Sequence, residues 1–223
     1  MKSASFIAFL LIIFFDSYGQ GPPEFGLFAG PQATSALYFV NNVKQETDYK
    51  YGFQAGASFK VPFDNQLYFS PAIYYSKKGY EVQLKDKAYP PSTLAKNNST
   101  TIHTIEIGGF LQFDFSKQPA TFFIKAGPAF DYAFSGTEKF DLVDGTAADQ
   151  NMKFSYADYG HYSASMIGAF GYETASRFMI FIQYSHGLGN INNNDGGPRI
   201  THRVLGLSIG KYFNNKKIKA ATK

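Results

Sequence analysis

Apolar and polar residues alternate with a period of two along most of this chain. From Tyr49 to Phe63, odd positions are aromatic, aliphatic or alanine, and even positions are mostly glycine, serine, glutamine or lysine. The segment from Thr104 to Phe115 repeats the pattern, with Phe110 as the exception. Because successive side chains of a strand point to opposite faces, each segment is predicted to be a strand with one apolar and one polar face.

Six further segments have the same alternation, some less cleanly, so the sequence predicts eight long strands. They cover residues 25–39, 49–63, 66–83, 101–116, 121–140, 156–176, 177–191 and 199–213. Helical periodicity is absent from this region. The predicted connections alternate between short turns and longer loops, the latter at 41–48, 84–100, 141–155 and 192–198. This is typical of an all-β, eight-stranded antiparallel up-and-down barrel, and in membrane barrels the long loops face outward.

The polar face carries charges of both signs, which indicates an ionic barrel interior. An interior of eight strands has room only for side chains, and buried charges must be paired. We therefore expect a structural charge network inside the barrel, made of Lys60, Glu106, Asp114, Lys125, Asp131 and Glu173. Within it, Lys125 is expected to bridge Glu106 or Asp114. The alternative is that some of these charges lie near the rims, in water.

Aromatic residues gather near the predicted strand ends, as in the interfacial girdles of membrane barrels. The predicted girdle residues are Tyr49, Tyr51, Phe63, Phe69, Tyr74, Tyr75, Phe115, Phe122, Tyr132, Phe134, Tyr159, Tyr162, Phe178, Tyr184, Tyr212 and Phe213. Their placement favours an apolar face that points outward into a membrane. Because lipid offers no hydrogen bonds to an open sheet edge, the first and last strands must then pair. The alternative is a secreted soluble barrel that binds an apolar ligand inside.

The two ends of the chain differ in composition from the alternating region. Residues 1–19 read as a signal peptide, because Lys2 precedes an apolar run at 6–15 and small residues precede Gln20. Residues 20–213 are then the barrel, and residues 214–223 are a basic tail. Outside this tail the charges nearly balance, so the sequence does not favour a nucleic-acid partner. The chain has no cysteine, which excludes disulfides and a cysteine nucleophile.

Catalytic, metal and cofactor sites are not predicted. His161 and Ser163 occur with Glu173, but ten residues of strand separate Ser163 from Glu173 by about 33 Å. His186 could meet Ser165 across two adjacent strands, yet no acid lies beside them. The four histidines lack metal-ligand spacing. The loop at 190–197 has too few acids for calcium, and no phosphate-binding or dinucleotide motif occurs.

Several short motifs resemble the PorT-like outer-membrane β-barrel family of Bacteroidetes. They are Tyr51-Gly52 with Gly56, the segment from Pro71 to Gly79, Lys125-Ala126-Gly127-Pro128, the segment from Tyr184 to Ile191, and the segment from Leu207 to Phe213. The resemblance spans roughly residues 25–213. It implies an integral outer-membrane barrel of a Gram-negative, Bacteroidetes-like cell. The family's namesake belongs to a type IX secretion system, and that role does not transfer to every member.

These observations together predict a monomeric, non-enzymatic outer-membrane barrel with a plugged polar interior. It would bind outer-membrane lipid around its wall, and its structural or interaction role would lie in the outward loops at 84–100 and 141–155, which would contact a protein partner. The alternatives are the soluble ligand-binding barrel and an outer-membrane enzyme that modifies lipid A.

Overall fold

The computed structural model describes residues 22–213 of the 223-residue chain. The predicted signal peptide at residues 1–19 and the basic tail at 214–223 lie outside the described residues. Within 22–213 the chain forms strands, turns and loops. This part of the chain contains no helix that is long and apolar enough to cross a membrane.

The described residues form one antiparallel sheet that closes on itself. Its strands are β1 (Glu24–Val40), β2 (Val43–Lys44), β3 (Glu46–Asp48), β4 (Lys50–Asp64), β5 (Leu67–Gln83), β6 (Asn97–Asp114), β7 (Thr121–Asp141), β8 (Ala147–Asn151), β9 (Tyr162–Glu173), β10 (Phe178–Gly187) and β11 (Arg199–Phe213). The eight long strands pair in chain order, and β11 pairs with β1 from Phe25↔Phe213 to Phe39↔Arg199. The predicted eight-stranded up-and-down barrel is therefore confirmed.

Three short strands occupy loops that the sequence analysis left without regular structure. Strand β2 pairs with β1, β3 pairs with β5, and β8 pairs with β7. Strands β5 and β7 continue past the ends of β4 and β9, so their exposed backbone groups need new hydrogen-bond partners. The short strands supply them. Strand β9 begins at Tyr162 and not at residue 156, because the preceding segment folds back over the barrel mouth.

The alternation along each long strand places apolar side chains outside. On β7, Phe122, Ile124 and Phe130 are exposed, whereas Lys125 and Asp131 are buried. The same division holds on β10, where isoleucines and Phe178 point outward and glutamine and serine point inward. The outward orientation of the apolar face is the opposite of what a soluble barrel with an internal apolar ligand requires, so that alternative is wrong.

A β-bulge in β7 changes the character of the outer surface. His103 pairs with Ser135 and Thr104 pairs with Ala133, so Phe134 is an extra residue on β7. Below the bulge the outward residues of β7 are mostly apolar. Above it they are Thr137, Lys139 and others of similar polarity, up to Asp141. The bulge therefore marks the level at which the apolar band of the wall ends.

The barrel interior contains aromatic side chains as well as small and charged ones. A buried apolar cluster in its lower part includes Phe28, Phe110, Phe123 and Phe181. Three tyrosines that were predicted to lie in the outer girdles are instead buried inside: Tyr74, Tyr159 and Tyr212. Tyr74 and Tyr212 share the inward parity of β5 and β11, which nearness to a strand end did not reveal. Tyr159 lies in the loop before β9, where strand parity does not apply.

Candidate functional site

An ionic cluster fills the interior at the short-turn end of the barrel. The Lys60 ammonium lies 2.6 Å from an Asp114 carboxylate oxygen and 2.7 Å from a Glu173 oxygen. Arg177, in the turn between β9 and β10, contacts Glu173 at 2.7 Å and Glu24 at 2.6 Å. The lysine, Asp114 and Glu173 are buried. Two cations, from β4 and the β9–β10 turn, thus hold three acids from β1, β6 and β9, which ties this end of the barrel together.

A second ionic cluster lies nearer the loop end. The Lys78 ammonium is 2.8 Å from carboxylate oxygens of both Glu106 and Asp131. The Tyr74 hydroxyl donates to Glu106 at 2.9 Å, and the Ser163 hydroxyl donates to Asp131 at 3.0 Å. Each of the two buried carboxylates therefore has both the Lys78 ammonium and a hydroxyl as partners. The cluster thus satisfies the pairing that buried charge requires.

The expected bridge from Lys125 to Glu106 or Asp114 is wrong. Those acids are taken by Lys78 and Lys60, and within residues 22–213 the Lys125 ammonium forms no ion pair. It lies instead against three aromatic rings, at 4.3 Å from the Phe181 centroid, 5.7 Å from Phe110 and 5.9 Å from Phe28. Such cation–π contacts partly replace a carboxylate partner in a desolvated site.

Lys78, Arg177 and Glu24 also belong to these clusters, and they were not predicted from the sequence. Lys78 could have been found by parity, since Ser76 and Tyr80 share its face on β5 and Lys77 has the opposite parity. Arg177 could not have been found in this way. It lies in a turn with a positive φ of 68°, where strand parity does not apply.

The loop end of the barrel is closed by an apolar cluster. Tyr38 and Tyr80 pack with ring centroids 5.9 Å apart, and both are fully buried. The Tyr159 hydroxyl donates to Glu138 at 2.9 Å, and Gln150 donates to the other oxygen of that carboxylate at 2.8 Å. Residues from three loops join the cluster: Ala88, Met152, Phe154, Tyr159 and Ile191. We call these packed loops, at 84–96, 152–161 and 188–198, the loop lid.

Hydrogen bonds connect the segments of the loop lid to one another. The Tyr89 hydroxyl donates to Asp158 at 2.7 Å, and this bond lowers the pKa of the Asp158 carboxyl below its usual value. The backbone N–H of Gly160 donates to the carbonyl of Ile191 at 2.7 Å. The Asn194 amide donates to the carbonyl of Ala157 at 2.9 Å. The lid segments are therefore joined to one another by hydrogen bonds as well as by apolar packing.

Two concavities occur near the lid. A cleft of about 420 Å³ opens on the outer side of strands β5 to β8, lined by Glu81, Ser99, Lys139 and their neighbours. A void of about 10 Å³ lies inside, beside Asp131, His202 and other residues. The inner void has room for about one water molecule. Neither matches an internal pocket for an apolar ligand.

The side chains that the sequence suggested for catalysis are held apart. Ser163 donates to Asp131, whereas Glu173 lies in the Lys60 cluster at the other end of β9. Ser165 is buried inside the barrel, and its register partner is Gly187, so His186 lies on the opposite face. Residues 22–213 contain no group of three or more histidines or acids that could hold a metal ion.

The outer surface carries the decisive pattern: a closed ring of strands, an apolar band around it, and aromatic residues at the upper edge of that band. The sequence from residue 20 to residue 193 matches the family described as "Outer membrane protein beta-barrel domain". The chain belongs to this family. The outer-membrane barrel domain therefore lies in the outer membrane, with its apolar band against lipid. A search among curated proteins finds no match.

Among solved structures, this outer-membrane barrel is similar to three bacterial barrels. Ail of Yersinia pestis, solved with a heparin analogue, has 11% identity and a TM-score of 0.45, and the match covers 86% of this chain and 100% of that chain. Neisserial surface protein A has 13% identity and a TM-score of 0.45, with the same coverage. The N-terminal barrel domain of OprF from Pseudomonas aeruginosa has 12% identity, a TM-score of 0.35, and coverage of 84% and 97%. Similarity this distant carries no information about ligands or partners.

Proposed function

We propose that this outer-membrane barrel is a sealed, monomeric scaffold with a structural or interaction role. The observation that supports it is the filled interior, in which ionic layers around Lys60 and Lys78 enclose the apolar layer around Phe181. The loop lid closes the outer end above them. Wide aqueous channels are found in barrels of about sixteen strands, and an eight-stranded barrel leaves no such space.

The outward loops are the part of the scaffold that we propose contacts a protein partner. Loops 84–100 and 141–155 both rise above the apolar band, and the second includes the exposed strand β8. The motifs from Pro71 to Gly79 and from Leu207 to Phe213 support placing the chain with the PorT-like barrels of Bacteroidetes. A role in type IX secretion is not part of this proposal.

Electrical recording in planar bilayers tests the sealed interior. Reconstituted protein should give no discrete current steps, because an ion would have to cross the apolar layer around Phe181. A wide porin inserted under the same conditions is the positive control. Stepwise openings that scale with the amount of folded barrel would overturn the proposal.

The remaining alternative is an enzyme that modifies lipid A. Overexpression in a Gram-negative host should leave the mass of lipid A unchanged if the barrel is a scaffold. A reproducible mass change that depends on the folded barrel would favour the enzyme instead.

A further inference from the structure

A cluster of aromatic rings lies on the outer wall at the level of the β7 bulge. The rings of Phe53 and Tyr75 have centroids 5.3 Å apart, and Tyr75 and Phe134 are 6.3 Å apart. His103 joins them, with its Nδ1 2.5 Å from the Tyr75 hydroxyl. Phe53 and Phe134 are each about half exposed. This cluster is the upper edge of the apolar band, where lipid tails give way to headgroups.

Two lysines lie directly beside this aromatic cluster, on its polar side. Lys77 is the register partner of His103 on the neighbouring strand. The Lys50 ammonium donates to the Ser99 hydroxyl at 3.0 Å and to the Thr101 hydroxyl at 2.8 Å. Lys50 reaches these groups by passing over Gly79, where an added Cβ would lie 3.2 Å from its side chain. Two ammonium groups and two hydroxyls thus share one surface.

The two lysines lack the carboxylate partner that several other lysines of the barrel have. Within residues 22–213, neither Lys50 nor Lys77 forms an ion pair, whereas Lys60, Lys78, Lys85 and Lys139 each have a carboxylate within 2.8 Å. The acid that follows on the same face of β5 is Glu81, and it accepts a hydrogen bond from Ser99 at 3.2 Å. The surface therefore carries two lysines and one acid, which leaves a net positive charge at headgroup level.

We propose that this surface binds the phosphate group of an outer-leaflet lipid. The ammonium groups of Lys50 and Lys77 contact the phosphate oxygens, and the hydroxyl of Thr101 adds a hydrogen bond. The rings of Phe53 and Phe134 pack against the part of the lipid next to the headgroup. An amphiphile fits the site better than a soluble phosphate, because the cations and the aromatic cluster form one continuous surface.

The inference rests on the position of the barrel in the outer membrane and does not depend on the proposed role of the loops. Failure of lipid binding would leave the sealed scaffold intact, and channel activity would leave this site intact. The two proposals can therefore fail separately.

Binding of lipid A to the folded, full-length barrel in neutral detergent tests the site, with bound lipid counted by native mass spectrometry. The double variant Lys50→Gln, Lys77→Gln should weaken binding of lipid A about tenfold or more, because it removes both ammonium groups that contact the phosphate. The Lys50→Arg, Lys77→Arg variant should retain binding within about threefold.

Three controls decide between the outcomes. The double variant Lys85→Gln, Lys87→Gln removes the same charge from an exposed loop and should change binding less than twofold. Dephosphorylated lipid A should bind to the wild-type barrel as weakly as lipid A binds to the Lys50→Gln, Lys77→Gln variant. Inorganic phosphate at millimolar concentration should not compete with lipid A. The site would be overturned if both double glutamine variants lost the same affinity for lipid A, or if dephosphorylated lipid A bound as tightly as lipid A. Competition by inorganic phosphate would overturn the lipid as its ligand. A difference in gel mobility between heated and unheated samples shows that each variant is folded.

Discussion

Individual lysines inside this barrel have very different surroundings, and these determine what each contributes to stability. Lys60 is shared by Asp114 and Glu173, whereas Lys125 lies among phenylalanine rings. Removing one partner of a buried ion pair leaves an uncompensated charge in a site with little water. Replacing an unpaired buried charge with an apolar side chain has no such cost.

These surroundings predict opposite effects of the same substitution at two buried positions. Lys60→Met should lower the free energy of unfolding by about 3 kcal/mol or more, because Asp114 would keep only the Gln112 amide at 2.8 Å. Lys125→Met should be neutral or stabilising, because it removes a buried charge that lacks a carboxylate. Urea unfolding in lipid vesicles, followed by tyrosine fluorescence, measures both. An equal loss in the two variants would show that the ion pairs do not determine the difference.

At the scale of single elements, the β7 bulge separates two surfaces of one strand. Strand β7 runs from Thr121 to Asp141, and its outward residues change from apolar to polar where Phe134 is inserted. A bulge adds one residue to one strand and leaves the pairing intact on both sides. Deleting the inserted residue therefore restores simple alternation, whereas deletion elsewhere in the strand reverses the faces.

Deletion of Phe134 should be tolerated with a modest loss of stability, because every other residue of β7 keeps its face. Deletion of Phe130 removes the same side chain from the same face and strand, and it should prevent folding because Asp131 would turn toward lipid. The measurement is the difference in gel mobility between heated and unheated samples. Folding of both variants, or of neither, would contradict this account of the bulge.

Much of the wall could be predicted from the sequence because strand parity is a local property. The alternation from Tyr49 to Phe63 predicted both the strand and the outward face of its aromatic residues. The bulge could not be predicted, because Phe134 and Ser135 fit either face. The partners of Lys125 could not be predicted either, since they depend on which strand positions meet across the interior. The sequence alone does not determine how far neighbouring strands are shifted along one another.

At the scale of the whole molecule, the barrel depends on closure between β1 and β11. Gly30 lies on this seam, and an added Cβ would be 1.9 Å from the backbone carbonyl oxygen of Leu207. That atom belongs to the backbone of the neighbouring strand, so it cannot move without disturbing the pairing. A glycine is needed here for close approach, as is typical where two backbones meet.

Gly30→Ala should therefore reduce the yield of folded barrel, because it strains the seam on which closure depends. Gly109→Ala is the matched control, since its added Cβ would meet only the Phe69 ring at 3.8 Å or more. The folded fraction after refolding into vesicles, measured by gel mobility, should fall for the first and stay near wild type for the second. Similar yields would argue that the seam accommodates a methyl group.

The strands continue beyond the bulge, and this continuation determines the height of the loop lid above the bilayer. From Ser135 to Asp141, β7 extends by about 20 Å at 3.3 Å per residue, and its tilt reduces the height to roughly 15 Å. The loop lid thus stands above the apolar band on a continuation of the paired strands. A macromolecule in solution can therefore contact the lid without inserting into the bilayer.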